Sequence, residues 1–294
     1  MSGVLLVDKP CGVSSAGVIR ALNVRIGRVK VGHLGTLDPF ASGLLPLVLG
    51  EATKVARYLL VEQKAYTGTI RLGRSTDTLD CTGTVTETAP VPDLHGVDVE
   101  AVRRRFTGPQ RQVPPMYSAL KRDGVPLYKL ARQGVEVERT ARDIEIMHLS
   151  LTLVEPDAIT FAVTCSKGTY IRVLAAEIGV ALGTVAHLET LRRTAVGAFR
   201  IDDSHTVEAL RGQAPGAPLP LIPIREALAD FRAFDASPAG LERLRRGQQE
   251  VLAELPPPGS LDETALVADG GGRVAAVIEA AGRGWRVVRL LADA

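Results

Sequence analysis

The sequence has little of what would place a chain in a membrane, outside the cell or around a metal. No apolar run in its 294 residues approaches the roughly 18 that a spanning helix needs. The opening MSGVLLVDKPCG has no basic stretch ahead of an apolar core, so it does not read as a signal peptide, and a cytoplasmic location is expected. Cysteine is scarce: Cys11, Cys81 and Cys165 are three in number and far apart. An odd count without C-x-x-C spacing argues against a disulfide framework and a zinc knuckle, leaving reduced thiols used as small side chains. His33, His95, His148, His187 and His205 lack the short helical spacing of metal ligands, so no metal is expected. No repeat or low-complexity tract is present. The net charge of +2 is too small to indicate a nucleic-acid partner by itself.

What is present is the composition of a globular protein, 46% hydrophobic and 23% charged, with a length that suggests two domains. The distribution of charge says more than its sum. Between Arg103 and Arg142 lie ten basic residues (Arg103, Arg104, Arg105, Arg111, Lys121, Arg122, Lys129, Arg132, Arg139, Arg142), opposed only by Asp123, Glu136 and Glu138. Such a run is either a solvated face balanced elsewhere or the footprint of a polyanion.

Along the chain, GVLLVDKP reads as a short strand stopped by proline. SSAGVIRALNVRI has helical spacing of Val18, Ile19, Leu22 and Ile26, with serines to cap it. After the loop VGHLGTLDPFASG, LLPLVLG has the length of a buried strand. EATKVARYLL is expected to be a helix packing Val55, Leu59 and Leu60 inward. AYTGTIRLG and TGTVTET alternate as strands do. VDVEAVRRRFTG is a helix stopped by Gly108 and Pro109, and a short helix is expected around Leu127–Arg132. DIEIMHLSLTLVEP and AITFAVTCS make a hairpin, TYIRVLAAEIGVALG a helix capped by Gly183, and AHLETLRRTAVGAF a strand. GQAPGAPLPLIP marks the edge of the main unit. Beyond about Phe231 come a charged helical piece, LERLRRGQQEV, and short strands in TALVADGGGRVAAVIEA and GWRVVRLLA.

The stretch Gly32-His33-Leu34-Gly35-Thr36-Leu37-Asp38-Pro39 is the most informative. A residue before proline is pushed away from helical geometry, so Asp38 is held extended, and Pro39 offers it no N–H. On the residues alone two readings stand: a carboxylate presented for chemistry, or an Asp-Pro turn in a connection.

GHLGTLDPFASGLLPLVLGEATK resembles the catalytic motif of the bacterial tRNA pseudouridine-55 synthases, the TruB family. Other blocks follow in the family's order. KPCGVSS (Lys9–Ser15) resembles its first motif and KAYTGTIRLG (Lys64–Gly73) its stacking-tyrosine strand. MYSALKRDGVPLYKLARQG resembles its thumb loop, and SKGTYIR (Ser166–Arg172) and HLETLRRT (His187–Thr194) its later motifs. The resemblance runs from about Gly3 to Gly197 and is patchy beyond.

This resemblance implies an α/β (α+β) fold: a mixed, mainly antiparallel sheet flanked by helices over 1–230, with an RNA-binding thumb at about 116–134. A small β-rich PUA-like RNA-binding module is implied at 231–294. The implied reaction isomerises uridine to pseudouridine at position 55 in the T loop of tRNA, breaking the N-glycosidic bond, turning the base and rejoining it through carbon. Nothing is oxidised and no group leaves, so no cofactor or metal is needed. The family pattern makes Asp38 the essential carboxylate and Arg172 its ion partner. Tyr66 becomes the ring on which the flipped base stacks and a candidate for moving the proton from the base carbon. Lys9, His33, Tyr170 and Leu191 are carried over as substrate-binding positions, with Lys121 and Arg132 in the thumb. As bare residues, Tyr66 could equally be core, Arg172 a surface helix arginine, and His33 a brace for the loop. The partner implied is the T-arm stem-loop of tRNA. Guide-RNA-dependent relatives of the dyskerin type resemble the same motifs without the thumb, so stand-alone action is implied, and nothing in the sequence demands more than a monomer. Two other readings are a tRNA-binding or RNA-folding protein without chemistry and a carboxylate-dependent nucleoside hydrolase. The hydrolase lacks a well-placed second carboxylate for activating water.

Overall fold

A computed structural model describes residues 1–60, 63–94, 98–214 and 216–292. His95, Val97 at the head of the VDVEAVRRRFTG segment, and Pro215 in the Pro- and Gly-rich stretch lie outside them.

The chain builds a ten-stranded mixed sheet. From one edge its path runs His205–Thr206, Gly3–Lys9, Ser42–Leu49, Ala186–Val196, Gln63–Leu72, Ala158–Ser166, Arg142–Glu155 and Gly108–Gln112. Val31–His33 and Phe199–Arg200 attach beside it. Most pairings are antiparallel, as expected. Two pairings are parallel: Gly3–Lys9 with His205–Thr206 at the edge, and a central seam that joins Ser42–Leu49 to Ala186–Val196, with Ser42 opposite Arg192 and Gly43 opposite Arg193. Gly3–Lys9 and Ser42–Leu49 are buried almost throughout, which is why they read as continuous apolar runs: both faces of the sheet are covered.

Strand alternation divides the core. Leu5 and Val7 join the helix residues Val18, Leu22, Leu174 and Ile178 on one face. Val4, Leu6, Leu44 and Val48 face the other way, against Val55, Leu59 and the C-terminal residues Leu266, Val277 and Leu291. The helix Ser15–Ile26 starts where the Ser14 hydroxyl accepts a hydrogen bond from the Gly17 N–H. The helix Ile171–Ala181 is followed by Gly183 at φ 84°, the left-handed residue expected after it. In the thumb, Asp123 and Gly124 both have positive φ and turn the two-residue hairpin arms Lys121–Arg122 and Val125–Pro126.

Beyond the main sheet, Arg232–Asp235, Thr264–Ala268, Val274–Ala281 and Gly284–Leu290 form a separate four-stranded sheet. It has its own core around Phe234, Leu241, Ile278 and Trp285. The strand Arg232–Asp235, parallel to Thr264–Ala268, was not legible beside the charged helical segment that follows it. Among the described residues no helix is long and apolar enough to cross a membrane.

One expectation is corrected. EATKVARYLL is not one helix: a 3-10 turn over Gly50–Lys54 and a single α-turn over Ala56–Leu59 meet at Val55. The Thr53 hydroxyl bonds back to the Gly50 carbonyl, and the Gly50 and Glu51 N–H groups are taken by the Lys30 carbonyl and the Ser2 hydroxyl. Val55 and Leu59 are buried, but Leu60 is 46% exposed. The GQAPGAPLPLIP stretch, expected at the edge of the main unit, is tied to the main sheet at its far end, where Ile222 exchanges two backbone hydrogen bonds with Val4.

Gly43 sits in the parallel seam with φ +102°, and a Cβ there would lie 2.3 Å from the Arg193 carbonyl oxygen. Gly43→Ala is expected to cost about 2 kcal/mol or more and to lower the thermal midpoint by roughly 4–8 °C, measured by calorimetry.

Candidate active site

Asp38 lies in a loop that the fold ties down from several sides. The buried Ser15 hydroxyl bonds both the N–H and the carbonyl of Leu37. The Gly12 N–H donates to the Pro39 carbonyl and the Cys11 thiol to the Phe40 carbonyl. Leu34, Leu37 and Phe40 anchor the loop in the core. From the other side Arg193, 1% exposed, donates to the carbonyls of Gly35, Thr36 and Leu44.

The carboxylate meets a guanidinium: Arg172 Nε stands 3.0 Å from Asp38 Oδ2. Arg172 is buried, and its remaining donors are also used. Nη1 donates to the Thr78 carbonyl at 2.7 Å and lies 3.5 Å from Asp80 Oδ2, while Nη2 donates to the Tyr117 carbonyl at 2.8 Å. Asp80 is fixed in turn, its Oδ1 accepting from the Thr78 and Thr82 hydroxyls and the Thr82 N–H. One guanidinium therefore joins two carboxylates and the base of the thumb.

Asp38 keeps 38% of its side-chain surface open to a cleft of about 350 Å³. Asp38, Tyr66, Tyr170, Arg172 and Leu191 all line it. Burial pushes the Asp38 carboxyl above the ordinary carboxylate value; Arg172 opposes this and Asp80 adds to it. Tyr66 is buried and faces Arg193 across the strand pair. Burial raises its phenol, and the Arg193 guanidinium pulls against that rise. Tyr170 caps the helix that carries Arg172, and the buried Gln112 amide grips both its backbone N–H and its carbonyl. The Tyr170 phenol is raised by burial.

The other sequence-derived positions lie elsewhere. Lys9 is fully buried beneath the loop, its ammonium donating to the carbonyls of Pro10, Val13 and Pro39. There it braces the Asp38 loop and has no surface to offer a substrate. Burial brings its pKa down to about 8. His33 is half-buried on Val31–His33 with its Nδ1 unpartnered, and burial, then Arg193, lowers its proton affinity. Lys121 and Arg132 are exposed in the thumb. Lys121 lines a neighbouring basic hollow with Arg122, Arg139 and Arg142, and Arg132 lies over the Tyr128 ring. Part of the basic surplus is neutralised, since Arg103 and Arg104 pair with Glu100, and Arg139 with Glu136. Lys121, Arg122, Lys129 and Arg132 make no ion pair among the described residues.

A family model described as TruB family pseudouridylate synthase (N terminal domain) matches residues 20–171, more than half of the chain. The chain belongs to this family. A second model, the tRNA pseudouridylate synthase B C-terminal domain, matches residues 172–215, so both matches end before the four-stranded sheet. A tRNA pseudouridine synthase B of Syntrophotalea carbinolica is 46% identical over 248 residues, 84% of this chain and 81% of the relative. One of Burkholderia lata is 48% identical over 260 residues, covering 87% and 80%. The Cbf5 fold is shared too: a chain in the crystal structure of a Cbf5–Nop10–Gar1 complex gives a TM-score of 0.70 at 24% identity, covering 98% of this chain and 84% of that one.

Reading this TruB-family chain from sequence missed Asp80, Gln112 and Arg193. Asp80 sits in STDTLDCTG, which reads as turn chemistry; its link to Arg172 spans two distant segments and leaves no local signature. Among the described residues no three His, Cys, Asp or Glu side chains gather as a metal site requires.

The raised Asp38 carboxyl has a consequence for stability. The unfolded chain titrates at about 4, and the folded chain holds its proton more tightly. The associated stability is present below the unfolded value and is lost as pH rises through the folded one. At neutral pH the ionised carboxylate is therefore a net burden on the fold. Asp38→Asn is expected to melt at or above the wild-type temperature at pH 7, with the difference closing below about pH 4, as measured by thermal denaturation across that range.

Proposed function

We propose that this protein isomerises uridine to pseudouridine at position 55 in the T loop of tRNA, acting alone without a guide RNA, with Asp38 as the essential carboxylate. The observation that carries this reading is the convergence of Asp38, Arg172 and Tyr66 on one cleft in a TruB-family chain. The relatives named tRNA pseudouridine synthase B support the substrate and the reaction.

A uridine in a T loop must leave its stack to reach a carboxylate at the floor of a cleft. The Tyr66 ring offers a surface to receive it, and stacking of this kind stabilises by about 1–3 kcal/mol per base. An ionised carboxylate can then attack the sugar carbon or the base, or remove a sugar proton; each role needs the unprotonated form. Arg172 keeps that form available against burial, and Asp80 keeps Arg172 aimed. The sugar and base are rejoined at carbon; the proton displaced there leaves through Tyr66 or water, and N1, its bond to the sugar gone, takes up a proton. The balance closes without oxidant, metal or cofactor.

The thumb cations without acidic partners suit the phosphates of a stem-loop, and the presence of this segment favours stand-alone action. The four-stranded sheet over the last 60 or so residues is assigned as the PUA-like RNA-binding module, completing a two-domain organisation over 1–230 and 231–294. The enzyme is taken to act as a cytoplasmic monomer.

With purified protein and a transcribed tRNA as the sole RNA, pseudouridine is expected at position 55, read by tritium release from 5-tritiated uridine and by site mapping. Asp38→Asn should abolish turnover while tRNA binding persists; normal turnover by that variant would overturn the assignment. The wild-type rate should fall on the acid side with a limb above the ordinary carboxylate range near 4. Asp80→Asn, leaving Arg172 with one carboxylate, should lower single-turnover rate by about 10- to 100-fold with tRNA affinity retained. Raising salt from about 50 to 200 mM should weaken tRNA binding by an order of magnitude or more, measured by filter retention.

A further inference from the structure

Two groups of charged side chains line the cleft. In one, Arg172 is set against both Asp38 and Asp80. In the other, Lys64 and Arg193 stand together against the Gly35 end of the Asp38 loop, and no ion pair with a carboxylate is made by either among the described residues. Both line the cleft, and a Cβ built on Gly35 would lie 3.5 Å from Lys64 Cε and 3.5 Å from Arg193 Nη1. Arg193 spends its donors on the carbonyls of the Asp38 loop and of Leu44. The ammonium of the half-buried Lys64 makes no hydrogen bond or ion pair among the described residues. Burial lowers its proton affinity, and Arg193 lowers it further. A cation left in this position is repelled by its neighbour and poorly hydrated. Anionic charge arriving in the cleft would relieve both penalties.

The position of Lys64 indicates which charge that is. It lies two residues before Tyr66 on the same strand, hence on the same face of the sheet. A base over the Tyr66 ring therefore has an edge within the reach of a lysine stem. When the bond between N1 and the sugar breaks, its electron pair passes to the base and spreads over N1 and the two carbonyl oxygens. A backbone phosphate is a weaker fit: it carries its charge throughout and belongs with the exposed cations of the thumb. We propose that Lys64 is a further catalytic residue, whose ammonium, kept free of a carboxylate partner and paired in charge with Arg193, hydrogen-bonds a uracil carbonyl oxygen and stabilises the base anion between bond cleavage and rejoining. This rests on the reading of the cleft as a uridine isomerase site. The anion then attacks the sugar carbon through C5; C5 gives up its proton to Tyr66 or water and N1 takes one up, completing an isomerisation in which no atoms or electrons are gained or lost.

The test uses full-length Lys64→Met and Lys64→Arg with transcribed tRNA. Single-turnover rate at saturating enzyme, tRNA affinity and thermal midpoint are measured for each. Lys64→Met is expected to slow the single-turnover step by about 100-fold or more, in the range found when one donor to a developing anion is removed, with tRNA affinity changed less than about threefold. Lys64→Arg, which keeps the charge, should recover part of the loss. The second arm places 5-fluorouridine at the target site, where the ring fluorine already stabilises the departing base anion. Bond cleavage or rearrangement is read by mass spectrometry of the digested RNA. The penalty of Lys64→Met should shrink about tenfold on this substrate. An equal penalty on both substrates would make Lys64 a structural support and overturn the proposal. So would lost affinity with an unchanged rate, which marks a phosphate contact, or no effect at all. Failure of the wild-type protein to isomerise uridine would instead sink the parent reading, whatever Lys64→Met does.

Discussion

The guanidinium of Arg172 holds together pieces of chain that share no secondary structure: the loop carrying Asp38, the turn carrying Thr78 and Asp80, and the thumb at Tyr117. Removing such a group from water costs several kcal/mol, and its ion pairs do no more than offset that cost when the geometry is good. The arrangement is therefore poorly explained as a device for stability. It is better explained by what a rigid planar donor with five N–H groups does to its acceptors: it fixes their directions as well as their distances. The stationary Asp38 oxygen follows from that, and the loop bonds of Ser15, Gly12 and Lys9 make it a consequence of the whole sheet edge.

Burial acts on the two charged groups of the cleft in opposite chemical senses but to the same end. It raises the Asp38 carboxyl and lowers the Lys64 ammonium, so each charge is held closer to neutrality than it would be in water. Charges held this way respond more strongly to a new charge nearby than fully exposed ones do, because solvent screens them less. Partly buried charges of this kind are a cost to folding, which is consistent with the proposed use of the cleft for charge that appears during a reaction.

How much of this was legible in the sequence depends on range. The extended backbone at Asp38 was legible locally, because proline after aspartate restricts it whatever the fold, but only the motif around it chose a presented carboxylate over an Asp-Pro turn. The central strands were legible from unbroken apolar runs, and the long hairpin from its alternation. Tyr66 and Arg172 were ambiguous as residues and were singled out by the motifs around them. Asp80 was invisible, since its threonine-rich surroundings satisfy a turn just as well as an ion-pair network. The EATKVARYLL segment misled because its spacing fits a helix, while the competing bonds from Ser2 and Lys30 come from distant chain. The parallel seam was equally out of reach: two residue pairs set it, and no local pattern encodes the partner of a strand.

The thumb shows why these long-range bonds matter together. Its exposed cations meet solvent, yet its base is tied through the Tyr117 carbonyl to the same guanidinium that holds Asp38. Pulling Tyr117 away would leave a buried Arg172 donor without an acceptor, at a cost of about 1–3 kcal/mol. Small displacements of the thumb are therefore resisted at the Asp38 loop, and small displacements of the loop are resisted at the thumb. A polyanion seated on Lys121, Arg122 and Arg132 would load the segment whose root sets the aim of Arg172, so binding and the placement of the carboxylate draw on a single hydrogen-bond network.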